Sequence, residues 1–334
     1  MAGGSATAVY SAIAANSIVA VAKFGAFFVT GSGAMLSEGI HSIADVGNQT
    51  LLAIGIKRSQ RPADEDHPYG YDKEQFTWAL ISAVGIFFLG CGVTVMHGIH
   101  SLTDPHPPEG IGVSMAVLAL SFVLEGASWA VAIFAVRASA AAGGMTFRQY
   151  IKDGSDPMAV AVVMEDSAAV LGVVIAAVAL GIAYVTGDGR WDGIASITIG
   201  LLMGFLAFFL IKKNKDNLVG KSVDAQKRAA IRKILEDDAV VENIEGMKAV
   251  VMGAETARLA ANIEFDGRAV AENVLEDVDL DAVWEEINSK DELEEYLKGF
   301  GGQVTDQLGD EIDRVETAIR KAVPGLTSIN LEAE

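Results

Sequence analysis

The chain is poor in cysteine, histidine and basic residues. Of its 334 residues only Cys91 is a cysteine, so no intrachain disulfide can hold the fold. The five histidines all precede residue 107, and residues 222–334 contain neither His nor Cys. A tight zinc-sensing site in that part would need carboxylates alone, which favour harder ions. Lys and Arg number 25 against 44 Asp and Glu, for a net charge of −19. That balance argues against nucleic acid, whose binding needs basic patches. The N-terminus lacks the Lys/Arg of a signal-peptide n-region, and the first apolar stretch is too long, so no cleavable signal is expected. There is no internal repeat and no low-complexity run.

What is abundant is apolar sequence. Hydrophobic residues make up 51% of the chain, and the mean hydropathy is +0.34, which points to a membrane protein with a polar part. Residues 1–211 are mostly apolar, whereas residues 222–334 are dense in Asp and Glu. The composition changes near Lys212. This predicts a transmembrane domain over 1–211, a linker over 212–221 and a cytoplasmic domain over 222–334. A span needs roughly 20 apolar residues. Six stretches fit: Ala6–Val29, Ala34–Ile56, Phe76–Met96, Ile111–Val136, Met158–Val185 and Ile194–Ile211.

Lys and Arg set the orientation. Lys57, Arg58, Arg61 and Lys73 follow the second stretch, Arg137, Arg148 and Lys152 the fourth, and Lys212, Lys213 and Lys215 the sixth. The opposite loops hold only Arg190. Both termini are therefore expected in the cytoplasm, with the protein multi-pass in the cell inner membrane. In the tail, Ala225–Leu235 is amphipathic, Ile244–Met252 and Thr256–Phe265 alternate as strands, Asp306–Val323 is a second helix and Ser328–Glu332 a last strand. The order α-β-β-α-β suits an open sheet with helices on one face. An acidic insertion at about 268–305 is partly helical, over Leu280–Ile287 and Lys290–Lys298.

His41 and Asp45 lie one helical turn apart within the second stretch, so both side chains share a face. An imidazole and a carboxylate inside a membrane mark an ion or proton pathway, and they are a first pair of ligands for a divalent ion. The fifth stretch holds Glu165 and Asp166, with no basic residue in that stretch to pair with them. Asp166 is read as completing the site and Glu165 as a fourth ligand or proton acceptor. Lys23 and Glu38 fall at similar depths and are expected to pair. Glu125 has no evident partner and could carry a proton or bond to a neighbouring helix. Asn48 and Gln49 line the approach or bond across helices. His97, His100 and His106 gather near the end of the third stretch.

The runs SGAMLSEGIHSIADVGNQ (Ser32–Gln49), DEDHPYGYDKEQ (Asp64–Gln75), EDSAAVLG (Glu165–Gly172) and WDGIASITIGLL (Trp191–Leu202) resemble the cation diffusion facilitator family. The resemblance covers essentially the whole chain. It implies a homodimeric divalent-metal/proton antiporter in the lipid bilayer, with six transmembrane helices and a cytoplasmic ferredoxin-like αββαβ domain, and no enzymatic activity. The tail runs Lys248–Arg268 and Asp306–Glu334 are similar to the branch that includes the mitochondrial zinc exporter of animals; without a transit peptide, a bacterial member is expected.

The resemblance places transport ligands at His41, Asp45 and Asp166. The family's remaining ligand position falls on Val162, so Glu165 or water would stand fourth. Because Glu165 is about 100° from Asp166 around the helix axis, it reaches the site only if that helix is rotated. Asp64 and His67 match two positions of a further site at the cytoplasmic mouth, but its third falls on Tyr71. A turn is the favoured reading there, with a weak secondary site as the other. A ligand set of N and O suits Zn2+ first, and also Mn2+, Fe2+ or Co2+. H+ is the expected counter-ion. The competing class is a metal-sensing membrane receptor or scaffold.

Overall fold

A computed structural model of the chain describes residues 2–106, 110–142, 144–153, 157–253 and 256–334. It divides into two compact units, one ending at Val219 and one starting at Gly220.

The first unit is a bundle of long helices: α1 (Ala2–Thr30), α2 (Gly33–Ser59), α3 (Glu74–Thr103), α4 (Ile111–Ala142), α6 (Pro157–Thr186) and α7 (Arg190–Val219), with the short α5 (Phe147–Asp153) between α4 and α6. Among the described residues four helices are long and apolar enough to cross a membrane, within α3, α4, α6 and α7, and Asn16–Thr30 is a shorter apolar helix. α2 carries Glu38, His41 and Asp45 and falls outside that group. The middle of α3, Ile86–Val93, is π-helical. The last helix continues through Lys212, Lys213 and Lys215 to Val219 rather than ending at Ile211.

Two devices set the helix positions. α2 starts at Ser32, whose hydroxyl accepts from the Met35 amide. Asp192 at the start of α7 accepts from the Ser32 hydroxyl (2.7 Å), from the Ala34 amide (3.0 Å) and from the Gly33 amide. A carboxylate thus sits on the positive end of α2 and ties it to α7. The other device is close backbone approach of α3 to α7. A Cβ at Gly98 would lie 2.9 Å from the Gly193 carbonyl oxygen and 2.8 Å from the Ile197 nitrogen. One at Gly200 would lie 3.1 Å from the Val95 nitrogen. Only residues without side chains allow helices so near each other.

The second unit is a small α/β fold. It holds α8 (Ala225–Glu236), β1 (Val241–Val251), β2 (Ala257–Phe265), α9 (Gly267–Leu275), α10 (Leu280–Glu286), α11 (Lys290–Ala322) and β3 (Leu326–Ala333). The sheet order is β1-β2-β3, with β1 antiparallel and β3 parallel to β2. Alternate residues Leu259, Ala261 and Ile263 of β2 are buried, as a one-faced strand requires. They meet Ile231 and Leu235 of α8 and Val315 and Ile319 of α11 in one core. The α-β-β-α-β order is present, with α9 and α10 added.

The second helix differs from expectation. The Lys290–Lys298 helix and the Asp306–Val323 helix are one element, α11. Its start is fixed by a capping box in which Ser289 and Glu292 exchange side-chain and backbone bonds. The helix then runs straight through Gly299, Gly301 and Gly302.

Candidate functional site

Glu38, His41, Asp45 and Asn48 follow one another at intervals of three or four along α2 and form a polar stripe on one face. At 1.5 Å per residue it extends about 15 Å along the helix. Glu38, His41 and Asn48 are buried, and the Asp45 side chain is 18% exposed.

Each member of the stripe meets different partners. Glu38 accepts from Lys23 Nζ of α1 at 2.8 Å, and the same ammonium donates to Glu125 of α4 at 2.7 Å. The Lys23–Glu38 pair is as expected, and Glu125 finds its partner in the same lysine. His41 Nε2 lies 3.5 Å from Asp45 Oδ2, an ion-pair distance without a hydrogen bond. Both His41 ring nitrogens are buried with no hydrogen-bond partner. Asn48 Nδ2 donates to both oxygens of Glu165 at 2.7 Å, a bond across helices from α2 to α6.

Helix α6 faces α2 with Glu165, which is 8% exposed. Asp166 turns toward α4 and accepts from the Ser128 hydroxyl at 2.9 Å. Val162 is 41% exposed. Both acids of α6 stay within electrostatic reach of Asp45. His41 and Asp45 are thus together, Glu165 is held just below them by Asn48, and Asp166 is held aside by Ser128. Among the described residues no group of three or more His, Cys, Asp or Glu is gathered tightly enough to hold a metal ion.

The loop between α2 and α3 brings Asp64 and His67 together differently. Asp64 accepts from the His67 backbone amide at 2.8 Å and from the Tyr71 hydroxyl at 2.7 Å. Those bonds, the tyrosine's foremost, hold the Asp64 carboxyl below the usual carboxylate range. The His67 ring packs on Tyr71, and the Arg61 guanidinium covers the same tyrosine. Both carboxylate oxygens therefore serve the turn. At the end of the bundle where α2 begins, His97, His100, His106, Asp104 and Asp192 line a cavity of about 500 Å³. His97 Nε2 is buried there without a partner.

Two residues escaped sequence reasoning. Ser128 is one turn from Glu125 on α4, and that i, i+3 polar pair on an apolar helix was the available signal. Asp192 was signalled by an acid in the first turn of the last apolar helix.

The cation efflux transmembrane domain matches residues 9–219. The chain is 40% identical over 333 residues to metal tolerance protein C4 of Arabidopsis thaliana, covering 98% of this chain and 73% of the relative. It is 38% identical over 324 residues to the human mitochondrial proton-coupled zinc antiporter SLC30A9, covering 96% of this chain but 57% of that relative's length. A cation-efflux pump FieF of Shewanella oneidensis is 26% identical over 251 residues, 73% of this chain and 77% of the relative. With the domain match across the helical unit and two relatives that align along nearly the whole chain, the chain belongs to the cation diffusion facilitator family.

Proposed function

We propose that the chain is a proton-coupled antiporter that exports a divalent metal, zinc foremost, from the cytoplasm. The observation that carries this is His41: a buried imidazole beside a carboxylate, with both ring nitrogens lacking hydrogen-bond partners. A buried polar group of that kind is costly unless something binds it. A metal ion, or a proton shared with Asp45, satisfies it.

His41 and Asp45 supply the first two ligands. Asp166 leaves Ser128 to become the third, and Glu165 leaves Asn48 to become the fourth where water does not. Metal ligands must be deprotonated, so cation and protons compete for the same atoms. Cytoplasmic metal displaces protons in the inward-open state, and external protons displace metal in the outward-open one. Asp64, Glu65 and Asp66 draw cations to the cytoplasmic mouth, and Asp64 with His67 forms at most a weak entry site. In this reading six helices span the inner membrane, both termini are cytoplasmic, the tail unit is ferredoxin-like, and the protein works as a homodimer and not as an enzyme. The names of the human and plant relatives support a metal substrate. The absence of thiolate near His41 keeps Mn2+ and Fe2+ as the next candidates.

The test is uptake into sealed vesicles holding the purified chain, across a panel of divalent ions, with and without an imposed pH difference. Zinc flux that grows with an opposing proton gradient supports the proposal. Zinc binding without flux identifies a receptor and sinks it.

A further inference from the structure

The mechanism above leaves three buried charged groups without a task. Lys23 and Glu38 have no side-chain exposure, and Glu125 keeps 11%. One ammonium lies between two carboxylates, at 2.8 and 2.7 Å. If all three are ionised, the cluster carries one excess negative charge in an apolar interior, which is unfavourable. A single bound proton neutralises it. There is also a place for that proton. Each carboxylate gives one oxygen to Lys23, and the other oxygen, Glu38 Oε1 or Glu125 Oε2, is buried without a partner. Glu38 Oε1 is pressed against Gly172 of α6, where an added Cβ would collide with it. Glu125 is the member left partly accessible.

The cluster also adjoins the site. Glu38 is three residues from His41 on the same face of α2, within about 4.5 Å along the axis. Glu125 is within electrostatic reach of His41, and Asp45 within reach of Lys23 and Glu38. The charged and titratable groups facing Glu125 are therefore Lys23 of α1 and Glu38 and His41 of α2. α1 offers no other charged side chain.

We propose that Lys23, Glu38 and Glu125 form a second, metal-free proton site that empties when a divalent cation settles on His41 and Asp45. The proposal rests on the transport reading above. In the step, the O–H bond of the Glu125 carboxylic acid breaks and its proton passes to water. The carboxylate left behind remains paired with the Lys23 ammonium. The arriving double positive charge favours that loss, and departure of the metal favours re-protonation. The coupled stoichiometry then exceeds what the ligands alone release, by one proton.

The experiment counts protons moved per zinc ion, with a pH dye and a zinc dye read together, in vesicles holding the full chain. Glu125→Gln keeps the shape and leaves a neutral Lys23–Glu38 pair. The expected result is zinc flux that persists with one proton fewer per zinc, and a log rate against pH that is about one unit less steep. Should this variant not fold, Glu38→Gln removes the same excess charge and is read in the same way. An unchanged proton count in the folded variant, alongside loss of zinc flux in Asp45→Asn, overturns the second proton site and leaves the transport site standing. Zinc flux that survives Asp45→Asn overturns the transport site and this inference together.

Discussion

Two aspartates of the helical unit should respond in opposite ways to the same substitution. Asp45→Asn changes one atom in a side chain that makes no hydrogen bond among the described residues and lies 3.5 Å from His41 Nε2. Little holds the fold there. The substitution breaks no hydrogen bond and leaves no donor newly unpaired, so stability should move by no more than about 1 kcal/mol. Function should not survive. Loss of an outer-shell partner at a metal site lowers affinity about 10- to 100-fold. Loss of an anionic ligand exceeds that, so zinc flux should fall below about 1% of wild type.

Asp192→Asn is the counterpart. Its carboxylate accepts from Ser32, Gly33 and Ala34, and it is 7% exposed. The amide puts an N–H where an acceptor is required. Charge-assisted bonds are worth about 1.5–3 kcal/mol each, and breaking a buried set costs about 3–5 kcal/mol. At 2–4 °C per kcal/mol, the melting temperature in detergent should drop by roughly 6–20 °C. Thermal melts and vesicle flux on both variants complete the comparison. If Asp45→Asn kept more than about a tenth of wild-type flux with an unchanged melt, the ligand assignment would fail. An unchanged melt in Asp192→Asn would remove the capping argument.

Other perturbations have equally definite outcomes. In Tyr71→Phe, Asp64 loses its strongest hydrogen bond, so its pKa should rise toward the ordinary carboxylate value of about 3.9, as read by carboxyl NMR titration. Because the folded value is depressed, the turn's contribution is present above the ordinary carboxylate range and fades as pH falls through the folded pKa; an unshifted titration refutes the bond. Gly172→Ala should destabilise the helical unit by about 1–3 kcal/mol, since the new methyl meets Glu38 where Lys23 holds it; an unchanged melt shows that the cluster can shift. The proposed homodimer should withstand excess chelator in size-exclusion runs, because residues 222–334 offer no His or Cys to a bridging metal; dissociation by chelator contradicts that.

What the sequence disclosed followed from periodicity and local charge. The polar stripe on α2 could be read directly, because residues at three- and four-residue intervals in one helix must share a face. So could the Lys23–Glu38 pair, which lies at matched depth across one short connection. Glu125 could not be assigned, because its partner is 102 residues away and no local pattern links them. The facing of α6 came out opposite to the reading from sequence, which turned Asp166 to the site and Glu165 about 100° away. Glu165 and Asp166 are adjacent, and only packing against α2 and α4 determines which one turns inward. The continuity of α11 was hidden by Gly299, Gly301 and Gly302, residues that usually weaken a helix. Here flanking turns with a strong cap and a buried face at Val315 and Ile319 carry the helix through them.

The seam of Gly98, Gly193 and Gly200 between α3 and α7 also has a mechanical meaning. Where backbone rests on backbone, one rod cannot shear along the other without collision, so the two helices behave as a single strut. α2 and α6 meet instead through side chains, Asn48 on Glu165 and Glu38 beside Gly172, with no backbone of one resting on backbone of the other among those contacts. Any alternating exposure of His41 must therefore pivot along that softer boundary, with the strut as its fixed frame.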